Sequence, residues 1–183
     1  GGNTMSKREK RYTLAILVNN NPGVLMRVVS LFSRRGYNID SLSVGETEDE
    51  RFSRITIVVP GDRAVVEQIK KQVAKLYDVI QVYEMTRTAS LQRELIMIKV
   101  NASVASRTEV VELAQIFKAK IIDVTNTTVS LEMTGTLDKI DSFLSLISPY
   151  GIVELARTGI TALERGSRAL SSIGFDEIQT GEE

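Results

Sequence analysis

The order in which hydrophobic periodicity changes along this chain is what most constrains its fold. From Tyr12 to Val18 it reads as a buried strand, Leu14, Ile16, Leu17 and Val18 forming an apolar run that ends in an asparagine cluster. Val24, Leu25, Val28, Leu31 and Phe32 then recur at helical spacing, with Arg27, Ser30, Arg34 and Arg35 mostly elsewhere around the helix and Arg35-Gly36 as its stop. Tyr37 to Val44 is an expected strand and Gly45 to Glu50 a charged hairpin loop. Arg51 to Pro60 is a returning strand with Ile55, Ile57 and Val59 on one side and Arg54 and Thr56 on the other. Pro60-Gly61-Asp62 breaks that strand and caps a helix from Arg63 to Leu76, and Val79 to Met85 is a fourth strand. After a polar connector, Thr86 to Leu91, the same order returns. It comprises a strand at Glu94–Ala102, a helix at Arg107–Lys118, a strand at Ile121–Thr125 and a hairpin partner at Val129–Met133. A helix capped by Thr136 follows, and Ile152–Leu163 closes the unit.

Strand, helix, strand, strand, helix, strand, taken twice, predicts an α+β chain of two ferredoxin-like (βαββαβ) domains in tandem. They span residues 11–87 and 91–165. Residues 1–10 are expected to be a disordered N-terminal segment, and the tail 166–183, with an apolar patch at Ile173, Phe175 and Ile178, to fray or to dock on a neighbour. Each half is expected to form a four-stranded antiparallel sheet with both helices on one face. The opposite face and an edge remain for association.

Composition removes whole classes of chemistry. The chain has no histidine and no cysteine, so triads, histidine-dependent metal sites and cysteine nucleophiles are excluded, as is a disulfide framework. Lysine plus arginine equals aspartate plus glutamate at 23 each, so bulk charge draws the chain neither to nucleic acid nor to an anionic membrane. No apolar run approaches the roughly 20 residues that span a bilayer, and the first residues lack a signal-peptide core, which together predict a cytoplasmic protein.

The chemistry left to consider concentrates at Asn19-Asn20-Asn21-Pro22-Gly23-Val24-Leu25, where the first strand turns into the first helix. Asn20 or Asn21 is suited to cap the helix, Pro22 to its first turn, and Gly23 leaves the backbone open to close approach. The first amides of a helix have no internal acceptor and the helix dipole adds positive charge, so a small carboxylate such as that of an amino acid fits there. The amino acid's ammonium group could meet an asparagine oxygen or a free carbonyl. An ordinary capped strand-to-helix turn has the same residues.

Asn20-Asn21-Pro22-Gly23-Val24-Leu25 resembles the loop of ACT domains, ferredoxin-like modules that bind amino acids at this turn, usually across a dimer interface. Continued from Val28 through Arg35-Gly36-Tyr37-Asn38-Ile39-Asp40 to Val44, the stretch is similar to the regulatory small subunits of acetohydroxyacid synthase, also called acetolactate synthase. Val66–Val73, Arg93-Glu94-Leu95, Ile121-Ile122-Asp123-Val124 and Ile152–Gly159 agree with that family in order and spacing. The resemblance implies a non-catalytic subunit that homodimerises through its ACT domain, binds valine or a related branched-chain amino acid, and controls a catalytic large subunit. This subunit is expected to bind no cofactor, whereas the large subunit uses thiamine diphosphate, magnesium and FAD. The implied effector site comprises Asn20, Asn21, Pro22, Gly23, Val24, Leu25 and Met26, faced by a strand carrying Asn38 and Ile39 from the partner copy. Met26 departs from the family, where a small serine is found; an inward methionine would alter effector affinity, whereas one filling core space would not.

Three other readings share parts of the pattern. A stand-alone amino-acid-binding ACT module needs the turn but not the second half in this form. An RNA-recognition module has the same element order but needs stacking aromatics and a basic sheet face, and aromatics are only 5% of this chain. An enzyme working through carboxylates could use Asp123 with Glu154, or the cluster Glu46, Glu48, Asp49 and Glu50; a salt bridge and a solvated hairpin tip are the plain alternatives.

Overall fold

The computed structural model describes residues 10–170; the expected disordered segment, apart from Lys10, and the Ile173–Ile178 patch lie outside the described residues. The described residues divide into two compact units, one formed by residues 10–91 with 162–170, the other by residues 92–161.

In the first unit the predicted order is realised as β1 (Arg11–Asn19), α1 (Val24–Arg34), β2 (Ser41–Glu46), β3 (Phe52–Pro60), α2 (Arg63–Ala74) and β4 (Val79–Glu84). The sheet is antiparallel, ordered β2-β3-β1-β4, so the first strand lies inside and β2 and β4 form the edges. Alternation decides the faces: Tyr12, Leu14, Ile16 and Val18 of β1 and Ile55, Ile57 and Val59 of β3 join Val28, Phe32, Val66, Ile69 and Val73 of the helices in one core. Side chains of this size each contribute roughly 1.5–3 kcal/mol on full burial.

The second unit repeats the plan with β5 (Ser90–Asn101), α3 (Arg107–Ile116), β6 (Lys120–Val124), β7 (Thr128–Gly135), α4 (Leu137–Ile147) and β8 (Ile152–Arg157), ordered β6-β7-β5-β8. Its own core joins Ile96, Ile98 and Val100 to Val129, Leu131, Ile140, Phe143 and Ile147. The likeness extends to irregularities. Leu17 pairs with Gln81 and Val18 with Val79, leaving Ile80 as an extra residue; Lys99 pairs with Glu154 and Val100 with Ile152, leaving Val153 in the same role.

Several boundaries differ from expectation. Tyr37–Asp40 is not strand: Tyr37 and Ile39 pack against the core from an irregular segment, and β2 begins only at Ser41. Gly45 and Glu46 belong to β2, paired with Arg54 and Ser53, so the hairpin loop starts at Thr47. The final stretch is broken at Gly159 (φ +84), giving β8 and a separate β9 (Thr161–Glu164), which pairs with β5. From Ala162 the chain folds with the first unit. Ala162 and Leu170 cluster with Ala15, Met85 and Tyr83 on the sheet face opposite the helices, and Arg54 donates to the Ala162 carbonyl. That face, expected to stay open, is covered; Ala15 and Thr56 are 0% and 1% exposed.

Candidate functional site

The corner between β1 and α1 is built from its backbone outward. Gly23 has φ +83 and ψ −2, the values of the third residue of a type II turn, with Pro22 at the second position that proline favours. The turn closes through a long bond from the Val24 amide to the Asn21 carbonyl, 3.4 Å, and the Arg27 amide reaches the Gly23 carbonyl at 3.1 Å. Among the described residues the amides of Gly23, Leu25 and Met26 have no backbone acceptor. No acidic side chain stands in the first turn of α1. Asn20 to Gly23, Leu25 and Met26 are exposed, while Val24 is buried and anchors the helix. The corner therefore offers unspent donors and the positive end of a helix dipole to solvent, which suits a small anion.

Neither asparagine caps the helix, contrary to expectation; the N-cap is Gly23, without a side-chain bond. Asn20 is fully engaged: Nδ2 donates to Glu46 Oε1 (3.0 Å) and the Glu50 carbonyl (2.9 Å), and Oδ1 accepts from Ser53 Oγ (3.0 Å). It ties the corner to the β2–β3 hairpin. Asn21 Nδ2 donates to Asp78 Oδ1 at 3.1 Å, and Arg27 forms an ion pair with Asp78 Oδ2. Those bonds from Asn21 and Arg27 hold the Asp78 carboxyl below its usual range. Pattern reasoning gave Asp78 no role, because it sits in the α2–β4 connection far along the chain.

The remaining candidates separate. Met26 is 68% exposed and does not fill the core. Asn38 is exposed and Ile39 half-buried, in the segment ahead of β2 and not on a strand. They follow the far end of α1, whose 11 residues span about 16 Å, so within one chain they do not line the corner. Asp123 and Glu154 lie on opposite edge strands, in a row Asp123, Ser130, Lys99, Glu154 across the sheet, about 14 Å apart, and Glu154 approaches Lys99 at 4.0 Å. They form no catalytic pair. Asp49 is held at about 2 by Arg51, which bonds both its carboxylate oxygens.

The equivalent corner of the second unit is different. Ser103 and Ser106 bond each other's backbone and side chain, so the N-cap amide of Ser106, the counterpart of Gly23, is taken up, while Thr108 and Glu109, like Leu25 and Met26, have no backbone acceptor among the described residues; Glu109 stands in the first turn of α3. A negative charge there opposes an anion. Of the two corners, the first, with a free N-cap amide and no acidic side chain in its first turn, is the better suited to an anion.

Comparison with known proteins decides the family. A family profile described as "AHAS small subunit-like ACT domain" matches residues 14–81, and one described as "Small subunit of acetolactate synthase" matches residues 93–166. A probable acetolactate synthase small subunit of Archaeoglobus fulgidus is 51% identical over 86% of this chain and 99% of its own length. The chain belongs to the acetolactate synthase small-subunit family. Another such subunit, from Mycolicibacterium smegmatis, is 44% identical over 92% of the chain and 99% of its own. The crystal structure of the Thermotoga maritima acetolactate synthase small subunit superposes with a TM-score of 0.79 at 38% identity, covering 87% of this chain and 99% of that one. Because small-subunit likeness runs through both units, a stand-alone ACT module does not fit. The covered sheet face of the first unit likewise leaves no exposed platform for stacking bases.

Among the described residues no group of three or more acidic side chains could hold a metal ion, and no helix is long and apolar enough to cross a membrane.

Proposed function

We propose that this chain is the regulatory, non-catalytic subunit of a cytoplasmic acetolactate synthase. It activates the catalytic large subunit and confers feedback control by valine or another branched-chain amino acid. On this reading the large subunit carries thiamine diphosphate, magnesium and FAD and joins a pyruvate-derived two-carbon unit to pyruvate or 2-oxobutyrate.

The observation that carries the reading is the exposed corner at Asn20–Met26, with open amides at Gly23, Leu25 and Met26, in a chain related to small subunits along its length. The effector carboxylate meets those amides, and the Asn21 Oδ1, which has no partner among the described residues, accepts from the ammonium group. Since Asn38 and Ile39 follow the opposite end of α1, they reach the effector only from a second copy, and β2, an edge strand with exposed Val44, is free to approach one. A ligand bridging two chains stabilises only the arrangement that supplies both walls, and couplings of about 1–3 kcal/mol of this kind are enough for feedback.

Calorimetric titration with valine tests the reading. Binding heat is expected with the natural sequence and none with Gly23→Asp; absence of heat in both, or equal heat in both, contradicts it.

A further inference from the structure

Asp78 is an acidic residue beside a corner that is otherwise suited to anions, and its place demands a reason. Its side chain is only 8% exposed, turned in under the corner and away from solvent. It instead receives three bonds from the two sides of the Pro22-Gly23 turn: the Asn19 amide to its carbonyl (2.8 Å), Asn21 Nδ2 to Oδ1, and the Arg27 guanidinium to Oδ2. Arg27 NH1 lies 3.3 Å from where a Cβ on Gly23 would stand, so the arginine held by Asp78 also walls the turn.

The second unit supplies an internal comparison. There the Asn101 amide donates to the Gly151 carbonyl at 2.9 Å, as Asn19 does to Asp78. Gly151 takes the place of Asp78, and a Cβ on it would lie 2.7 Å from Asn101 Nδ2, leaving no room for a carboxylate. The tie from helix to loop is made by Glu109 and Tyr150 Oη at 2.6 Å. The buried carboxylate thus accompanies the corner with a free N-cap amide and an acid-free first turn, and is absent from the one whose N-cap amide is bonded and whose first turn carries Glu109.

We infer that Asp78 is the positioning residue of the effector corner, clamping Asn21 and Arg27 so that the turn between them is held in its binding geometry before ligand arrives. The clamp rests on the proposed effector function, and it also neutralises Arg27, whose charge near the N-terminus of α1 is unfavourable for the helix.

Asp78→Asn keeps the size and an acceptor for Asn21 but removes the charge facing Arg27. Valine Kd is expected to rise about tenfold. Hydrogen exchange without ligand is expected to quicken about tenfold at the Asn21, Val24 and Arg27 amides while β3 and α2 stay protected. Arg27→Gln is expected to act in the same direction, and the double variant to recover part of the loss, which two independent structural defects would not do. Should Asp78→Asn fail to fold, the exposed Arg27→Gln decides alone. Wild-type exchange and wild-type valine affinity in a folded single variant overturn the clamp. If the natural sequence takes up no valine, the effector function fails, while the exchange comparison still decides whether Asp78 holds the turn.

Discussion

Gly23 bears the strictest local demand at the site. At φ +83 any Cβ is strained, and it would also press on the Arg27 guanidinium. Gly23→Ala is expected to cost about 1 kcal/mol, lowering the melting temperature by about 2–4 °C, read by calorimetry. Asp78 makes a pH prediction. Its pKa is lowered on folding, so its stabilisation is fully present above the ordinary carboxylate value and is lost as pH falls through the lower folded value. Acid unfolding of Asp78→Asn is therefore expected to be less steep in that strongly acidic window, with the difference vanishing once the wild-type carboxyl is protonated. At this scale the sequence was only half legible. The corner itself was visible from asparagines, proline and glycine in a row, but the partners that draw its asparagines away from capping lie 26 to 57 residues distant, where local pattern carries no signal.

The helices and inner strands could be read from periodicity because their apolar residues face one core each. Two caps were visible as well: Asp62 Oδ1 accepts from the Val65 amide at 2.9 Å and Thr136 Oγ1 from the Lys139 amide at 3.3 Å. Asp62→Ala and Thr136→Ala are each expected to cost about 1 kcal/mol in denaturant unfolding. Asn20→Ala, which caps nothing, is expected to loosen the β2–β3 hairpin instead. Edge elements were less legible. Ahead of β2, Tyr37 and Ile39 pack against the core without joining the sheet, and the break between β8 and β9 comes from a glycine turn whose consequence depends on where the chain goes next. The return of Ala162–Leu170 across the first sheet is a tertiary event; small residues there gave no periodic sign that they would cover Ala15 and Met85.

For the whole molecule, one plan taken twice gives two units whose strand-to-helix corners differ in chemistry. The first keeps a corner with a free N-cap amide, a glycine turn and a buried carboxylate behind it; the second bonds its N-cap amide to Ser103 and places Glu109 in the first turn of its helix. Phe143→Ala, at the centre of the second core, is expected to cost roughly 3–5 kcal/mol and to raise hydrogen exchange across residues 92–161 while valine heat persists, since the corner belongs to the other unit. The central claim is that occupancy of this corner is relayed to a separate catalytic subunit. Its most direct test is the rate of pyruvate condensation by the large subunit, measured alone, with this protein, and with this protein plus valine. The rate is expected to rise when the protein is added and to fall again with valine, the fall disappearing with Gly23→Asp. A rate indifferent to the protein, or a valine effect that survives Gly23→Asp, would contradict the account.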